Sequence, residues 1–176
     1  MNRLDALVQL FFDDVAELGS FDQVESADVP VPYDSLLVHE EHMTVAMEAH
    51  HESLVDVDVL ESRLTDTHYA RKILLRRQSD RAVVQFGIMQ ILLADLSDDL
   101  RTEITSQRRP LGRILVRHNV MRTLHLERLW KVNPGAELQA RFGRGDSAPT
   151  YGRTASIDFS GKPTVYVLEI VNEIAD

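Results

Sequence analysis

The chain has no cysteine. Disulfide frameworks, thiolate catalysis and cysteine-based zinc sites are therefore excluded, and a reducing cytoplasm is the natural setting. Long apolar runs are missing too. The best candidate, around Val83–Leu93, is interrupted by Gln85, Gly87 and Gln90 and is too short to cross a bilayer. The first residues carry Asp5, then Asp13, Asp14 and Glu17, which does not fit a secretory signal. Positive charge is in deficit: 19 Lys and Arg stand against 28 Asp and Glu, for a net charge of −9. Such a surface repels nucleic acid and anionic membrane, so neither is an expected partner. It also repels anionic ligands, so an anion-binding site would need a local basic pocket, and the arginines become the residues to follow.

What is present suits one domain: 176 residues, 44% of them hydrophobic. Leu4, Leu7, Phe11, Val15 and Leu18 recur at helical spacing, and Gly19-Ser20 reads as the stop. Residues 21–33, acidic and holding Pro30 and Pro32, read as an extended connector. Glu40 to His51 is helix-compatible. Val55, Val57 and Val59 alternate with acids, the period of a strand. Ala70–Arg77 and Ala82–Leu93 form a hairpin pattern around Gln78-Ser79-Asp80. Asp95–Gln107 and Pro110–His118 read as helices, and Met121–Val132 as a strand. Asn133–Pro149 reads as a loop, followed by strands at Tyr151–Phe159 and Thr164–Val171. Without regular βαβ alternation, the expected class is α+β: a single domain with an antiparallel sheet and helices mainly on one side. Its divisions are an N-terminal helix and connector over residues 1–34 and the main domain over 35–176.

Arg71 lies in a strand that mixes aliphatic residues with charge. Facing inward, it would need an anion, because an unpaired buried charge is costly, and a guanidinium suits a carboxylate. Facing solvent, it would be an ordinary ion-pair partner. Glu169 sits inside Val165-Tyr166-Val167-Leu168-Glu169-Ile170-Val171. Such surroundings favour acid–base work or contact with a ligand hydroxyl; a salt-bridged edge glutamate is the plainer reading. Pro110-Leu111-Gly112-Arg113 opens a helix, where free amides and a glycine allow close approach to an anion. Arg153 is a second carboxylate-binding candidate. His39, His42, His50 and His51 do not have the His-Glu-x-x-His spacing, and no metal or other cofactor is expected.

Four of these stretches, in this order, resemble the chorismate pyruvate-lyase (4-hydroxybenzoate synthase) family. They are Leu36-Leu37…Met43-Thr44, Arg71-Lys72-Ile73-Leu74-Leu75, Pro110-Leu111-Gly112-Arg113-Ile114-Leu115, and Tyr151-Gly152-Arg153-Thr154…Ser160-Gly161-Lys162-Pro163…Leu168-Glu169-Ile170. The match covers about residues 35 to 171. The resemblance implies a lyase that eliminates pyruvate from chorismate to leave 4-hydroxybenzoate, working in the cytoplasm as a monomer or small homo-oligomer. It implies catalytic roles for Arg71 on the ring carboxylate and Glu169 at the ring hydroxyl. Met43 would pack on the ring from a flap, and Leu111 and Gly112 would line the pocket. Arg153 would hold the second carboxylate. For Arg153 and Glu169 to share a pocket, the final hairpin needs a bulge near Gly161, because simple two-residue pairing puts them on opposite faces.

A structural or interaction protein is disfavoured by the polar residues inside apolar strands, and two other readings remain open. One is a non-catalytic aromatic-acid sensor of the same fold, as in effector domains of some bacterial regulators. Against it stand the acidic charge and a leader too short for a winged-helix DNA-binding domain. The other is a lyase acting on a related cyclohexadiene carboxylate.

Overall fold

The computed structural model describes residues 2–94, 96–145 and 148–173. Asp95, where a helix is expected to begin, and the end of the chain at Asp176 lie outside the described residues. The chain forms one domain around a seven-stranded antiparallel sheet. Its elements are α1 (Arg3–Val8), β1 (Gly19–Val24), α2 (Tyr33–Leu37), α3 (Met43–His51), β2 (Val55–Leu64), β3 (His68–Arg77), β4 (Val83–Leu92), α4 (Asp98–Thr105), α5 (Leu111–Arg117), β5 (Arg122–Pro134), α6 (Ala136–Phe142), β6 (Thr150–Phe159) and β7 (Lys162–Val171). The strand order is β1-β5-β6-β7-β4-β3-β2, so the last strands of the chain occupy the middle of the sheet.

Period-two side-chain alternation divides the core between the two faces. Leu74, Phe86, Ile88, Leu168 and Ile170 face α1 and α6. Met89, Ala155, Ile157, Val165 and Val167 pack under α4 and α5. Ile73, Leu75 and Val171 pack under α2 and α3. Four helices thus share one face and two cover the other. Each buried aliphatic side chain contributes about 1.5–3 kcal/mol relative to exposure, so both layers hold the sheet rigid.

Three details depart from the sequence reading. The helical pattern at 4–18 is split. α1 stops at Val8, and Asp14 starts a separate 3₁₀ turn at Val15–Glu17 through a capping box with Glu17. The chain then enters the sheet: β1, in the stretch read as a connector, pairs with β5 from Gly19↔Pro134 to Val24↔Leu129. The stretch read as a loop at 133–149 contains α6. There Gly135 and Gly143 are helix caps, Gly143 in the left-handed region at φ 65°.

The final hairpin decides which residues share a face. Ser160 and Gly161 form its two-residue turn, both at positive φ. The pairing runs Phe159↔Lys162, Asp158↔Pro163 and then Ile157↔Val165, leaving Thr164 as an extra residue. This bulge moves the register by one and sets Arg153 directly opposite Glu169.

Candidate functional site

A cavity of about 50 Å³ lies between the sheet and the α3–α5 layer. By the measure that allots roughly 10–15 Å³ to one water, it holds a few waters or a small, flat ligand. Its floor is three rows of side chains from β3, β4 and β7. Register pairs Arg71 with Met89 and Met89 with Val167. The next row is Ile73, Gly87 and Glu169, and the third begins with Leu75 and Gln85. Gly87 leaves the middle of the floor low; a Cβ there would come within 3.3 Å of the Ile73 side chain. The roof is His42, Met43 and Thr44 at the start of α3, with Pro110, Leu111 and Gly112 at the start of α5.

The roof closes because residue 112 is glycine. A Cβ on Gly112 would stand 2.9 Å from the His42 Cβ and 3.0 Å from the Thr44 hydroxyl oxygen. Side chains add two ties. Arg113 of α5 donates to Glu48 of α3, and Glu48 also accepts from the Val55 amide at 3.0 Å. Arg122 donates from Nε to Nε2 of His42 at 2.5 Å. That bond requires a neutral His42. Burial, reinforced by Arg122 and then Arg153, lowers its pKa to about 4.

Arg71 is the unusual group. It is 2% exposed, yet no carboxylate among the described residues pairs with it. Its Nη2 donates to the Arg109 carbonyl at 3.3 Å, and its Nη1 is buried with no partner. Burial lowers its pKa, and the Tyr69 hydroxyl opposes that shift only in part. An arginine keeps its proton even so. The cavity is therefore lined by a desolvated cation and apolar side chains together with His42, Thr44, Gln85 and Glu169, and the Arg71 guanidinium is suited to a carboxylate.

Glu169 also lines the cavity, but it is already paired. Its Oε2 accepts from Arg153 Nε at 2.7 Å, with the arginine side chain fully buried. Arg153 itself is absent from the cavity lining. Its Nη1 donates to the carbonyls of Leu37 (3.3 Å) and His39 (2.8 Å), and its Nη2 to that of Glu41 (2.9 Å). Its donors are committed to Glu169 and to the segment between α2 and α3. Arg153 thus clamps the roof's leading strand of backbone to the sheet, where the sequence reading had it holding a second carboxylate.

The structure brings Arg71, Glu169, Met43, Leu111 and Gly112 to one cavity and leaves Arg153 behind it. Sequence reasoning missed Gln85 and Thr44. Gln85 is 3% exposed, and its Oε1 is buried without a partner. The signal was there: a glutamine and a glycine alternating on one face of an apolar strand, noted only as breaks in a hydrophobic run.

No family model and no curated protein matches the chain. Solved structures do. PhnF from Mycobacterium smegmatis is similar with a TM-score of 0.55 at 11% identity, over 77% of this chain and 65% of that one. The effector domain of the same protein is similar with a TM-score of 0.53 at 9% identity, over 77% of this chain and 91% of that one. Gene product SA0254 from Staphylococcus aureus gives 0.51 at 9% identity, over 77% of this chain and 90% of that one. The chain thus spans about two thirds of full-length PhnF and nearly all of its effector domain. The resemblance to the chorismate lyases holds at the level of the fold. The expectation of a carbon–oxygen lyase is corrected: the fold is shared with an effector domain. Arg153, expected from the resemblance to hold a second carboxylate, donates instead to Glu169 and to the carbonyls of His39 and Glu41.

Proposed function

We propose that this chain is a ligand-sensing domain whose cavity takes up a small monocarboxylate with a flat apolar body, an aromatic acid of one ring, and releases it unchanged. The observation that carries the reading is Arg71: 2% exposed, beside the Tyr69 hydroxyl, with no carboxylate partner among the described residues and Nη1 buried without a hydrogen bond to them. A protein retains such a charge at a stability cost when something else supplies the anion. The effector domain of PhnF lends the role by likeness of fold.

Calorimetric titration with a panel of acids tests it. Benzoate and 4-hydroxybenzoate should bind one per chain. Arg71→Met should lose tenfold or more in affinity, the expected scale for a charge-assisted hydrogen bond. Chorismate incubated with the protein should be recovered intact by chromatography. Equal affinity in Arg71→Met would overturn the assignment of the site, and release of pyruvate would overturn the sensor reading.

A further inference from the structure

Gln85 is a second buried polar side chain at this cavity whose hydrogen-bonding capacity is unmet. Its Oε1 has no partner among the described residues, and the residue is 3% exposed. Leaving such an atom unpaired costs about as much as losing a hydrogen bond outright, and a leucine would fill the place without that cost. Arg71 and Gln85 lie on the same face of the sheet and line the same cavity, at its two ends. Arg71 is opposite position 89 of β4, four residues from Gln85, about 13 Å along the strand at roughly 3.3 Å per residue. Between them the floor dips at Gly87. Both side chains therefore face the same cavity, one row to either side of Gly87.

We propose that Gln85 forms a subsite for a neutral hydrogen-bonding substituent, a hydroxyl or an amino group, across the ring from the carboxylate held by Arg71. This rests on the cavity taking a small carboxylate at Arg71. The neutral amide is matched to an uncharged group. Gly87 is registered with Glu169, so the Glu169 carboxylate stands in the middle row of the floor, next to the Gln85 row. A second carboxylate there would face it with no free cation, because Arg153 is already committed to Glu169. The site therefore selects monoanions against dianions as well as selecting the polar substituent.

The test is calorimetry on the full chain with benzoate, 4-hydroxybenzoate and terephthalate as probes. Wild type should bind 4-hydroxybenzoate about tenfold more tightly than benzoate, and terephthalate weakest. Gln85→Leu should bring the two monoacids to the same affinity while benzoate itself changes little. Its thermal midpoint should be equal to or above that of wild type, because an orphaned acceptor is gone. Gln85→Met gives the same readout if the leucine variant folds poorly. A hydroxyl preference that survives in both variants, or is absent from wild type, overturns the subsite while leaving the carboxylate site at Arg71 standing. If no acid binds at all, the reading of the cavity falls and the subsite falls with it.

Discussion

At the scale of single residues, the molecule keeps buried charge in two different ways. Arg153 is fully satisfied, by one carboxylate and three backbone carbonyls. Removing it with Arg153→Met would strand Glu169 and those carbonyls, and should destabilise the fold by about 3–5 kcal/mol, read by urea unfolding. Arg71 is left incomplete, so Arg71→Met should do the opposite and raise stability by about 1–4 kcal/mol. The histidines add a pH dependence. His42 has a folded pKa of about 4, below its ordinary 6.5. His39 shifts the same way, by burial first and Arg153 second. A group whose folded pKa is depressed is protonated first in the unfolded chain, so stability is lost as pH falls from about 6.5 towards 4. The Tm should decline over that window, and His42→Gln should flatten the decline. Lowered carboxylates such as Glu103 act only at more acid pH.

At the scale of elements, the site is a lid meeting a sheet. α3 and α5 touch where Gly112 has no side chain, so Gly112→Ala must push the start of α3 away from the cavity. Overpacking of this kind costs about 1–3 kcal/mol. The variant should also bind benzoate more weakly than wild type, measured in the same titration. Much of this level was legible in the sequence. The β3–β4 hairpin, α5 after Pro110 and the final hairpin follow from period-two alternation and turn residues. The bulge was deducible because Arg153 and Glu169 could not otherwise share a face, though its place at Thr164 was not. α6 was missed because its flanking glycines look like loop residues until their cap geometry is seen. β1 was missed because a polar edge strand carries no apolar stripe: only Gly19 and Ser20 to Val24 alternate weakly. The partner of Arg153 was half legible. Glu169 could be guessed from an acid in an apolar strand, whereas the carbonyls of Leu37, His39 and Glu41 come from distant backbone that no side-chain pattern announces.

At the scale of the whole molecule, an acidic chain of net charge −9 holds the buried Arg71, with no carboxylate partner among the described residues, on β3 of a seven-stranded sheet. On the proposed reading, the acidic exterior slows the approach of anions, and the buried Arg71 with its small cavity favours slim monoanions. Fold likeness reached the chorismate lyases from sequence and an effector domain from structure, and the same scaffold accommodates both. In this chain Arg153 is committed to Glu169 and to the backbone carbonyls of Leu37, His39 and Glu41, a fact of tertiary geometry. The most direct test is a thermal unfolding comparison of wild type and Arg71→Met, each with and without saturating 4-hydroxybenzoate. Ligand at about a hundred times its Kd should raise the wild-type Tm by about 5–10 °C. At the same ligand concentration Arg71→Met should start from a higher Tm and shift by about half as much or less. A variant that melts lower than wild type and shifts as far as wild type would contradict the account, because Arg71 would then be a structural residue and not the anion receptor.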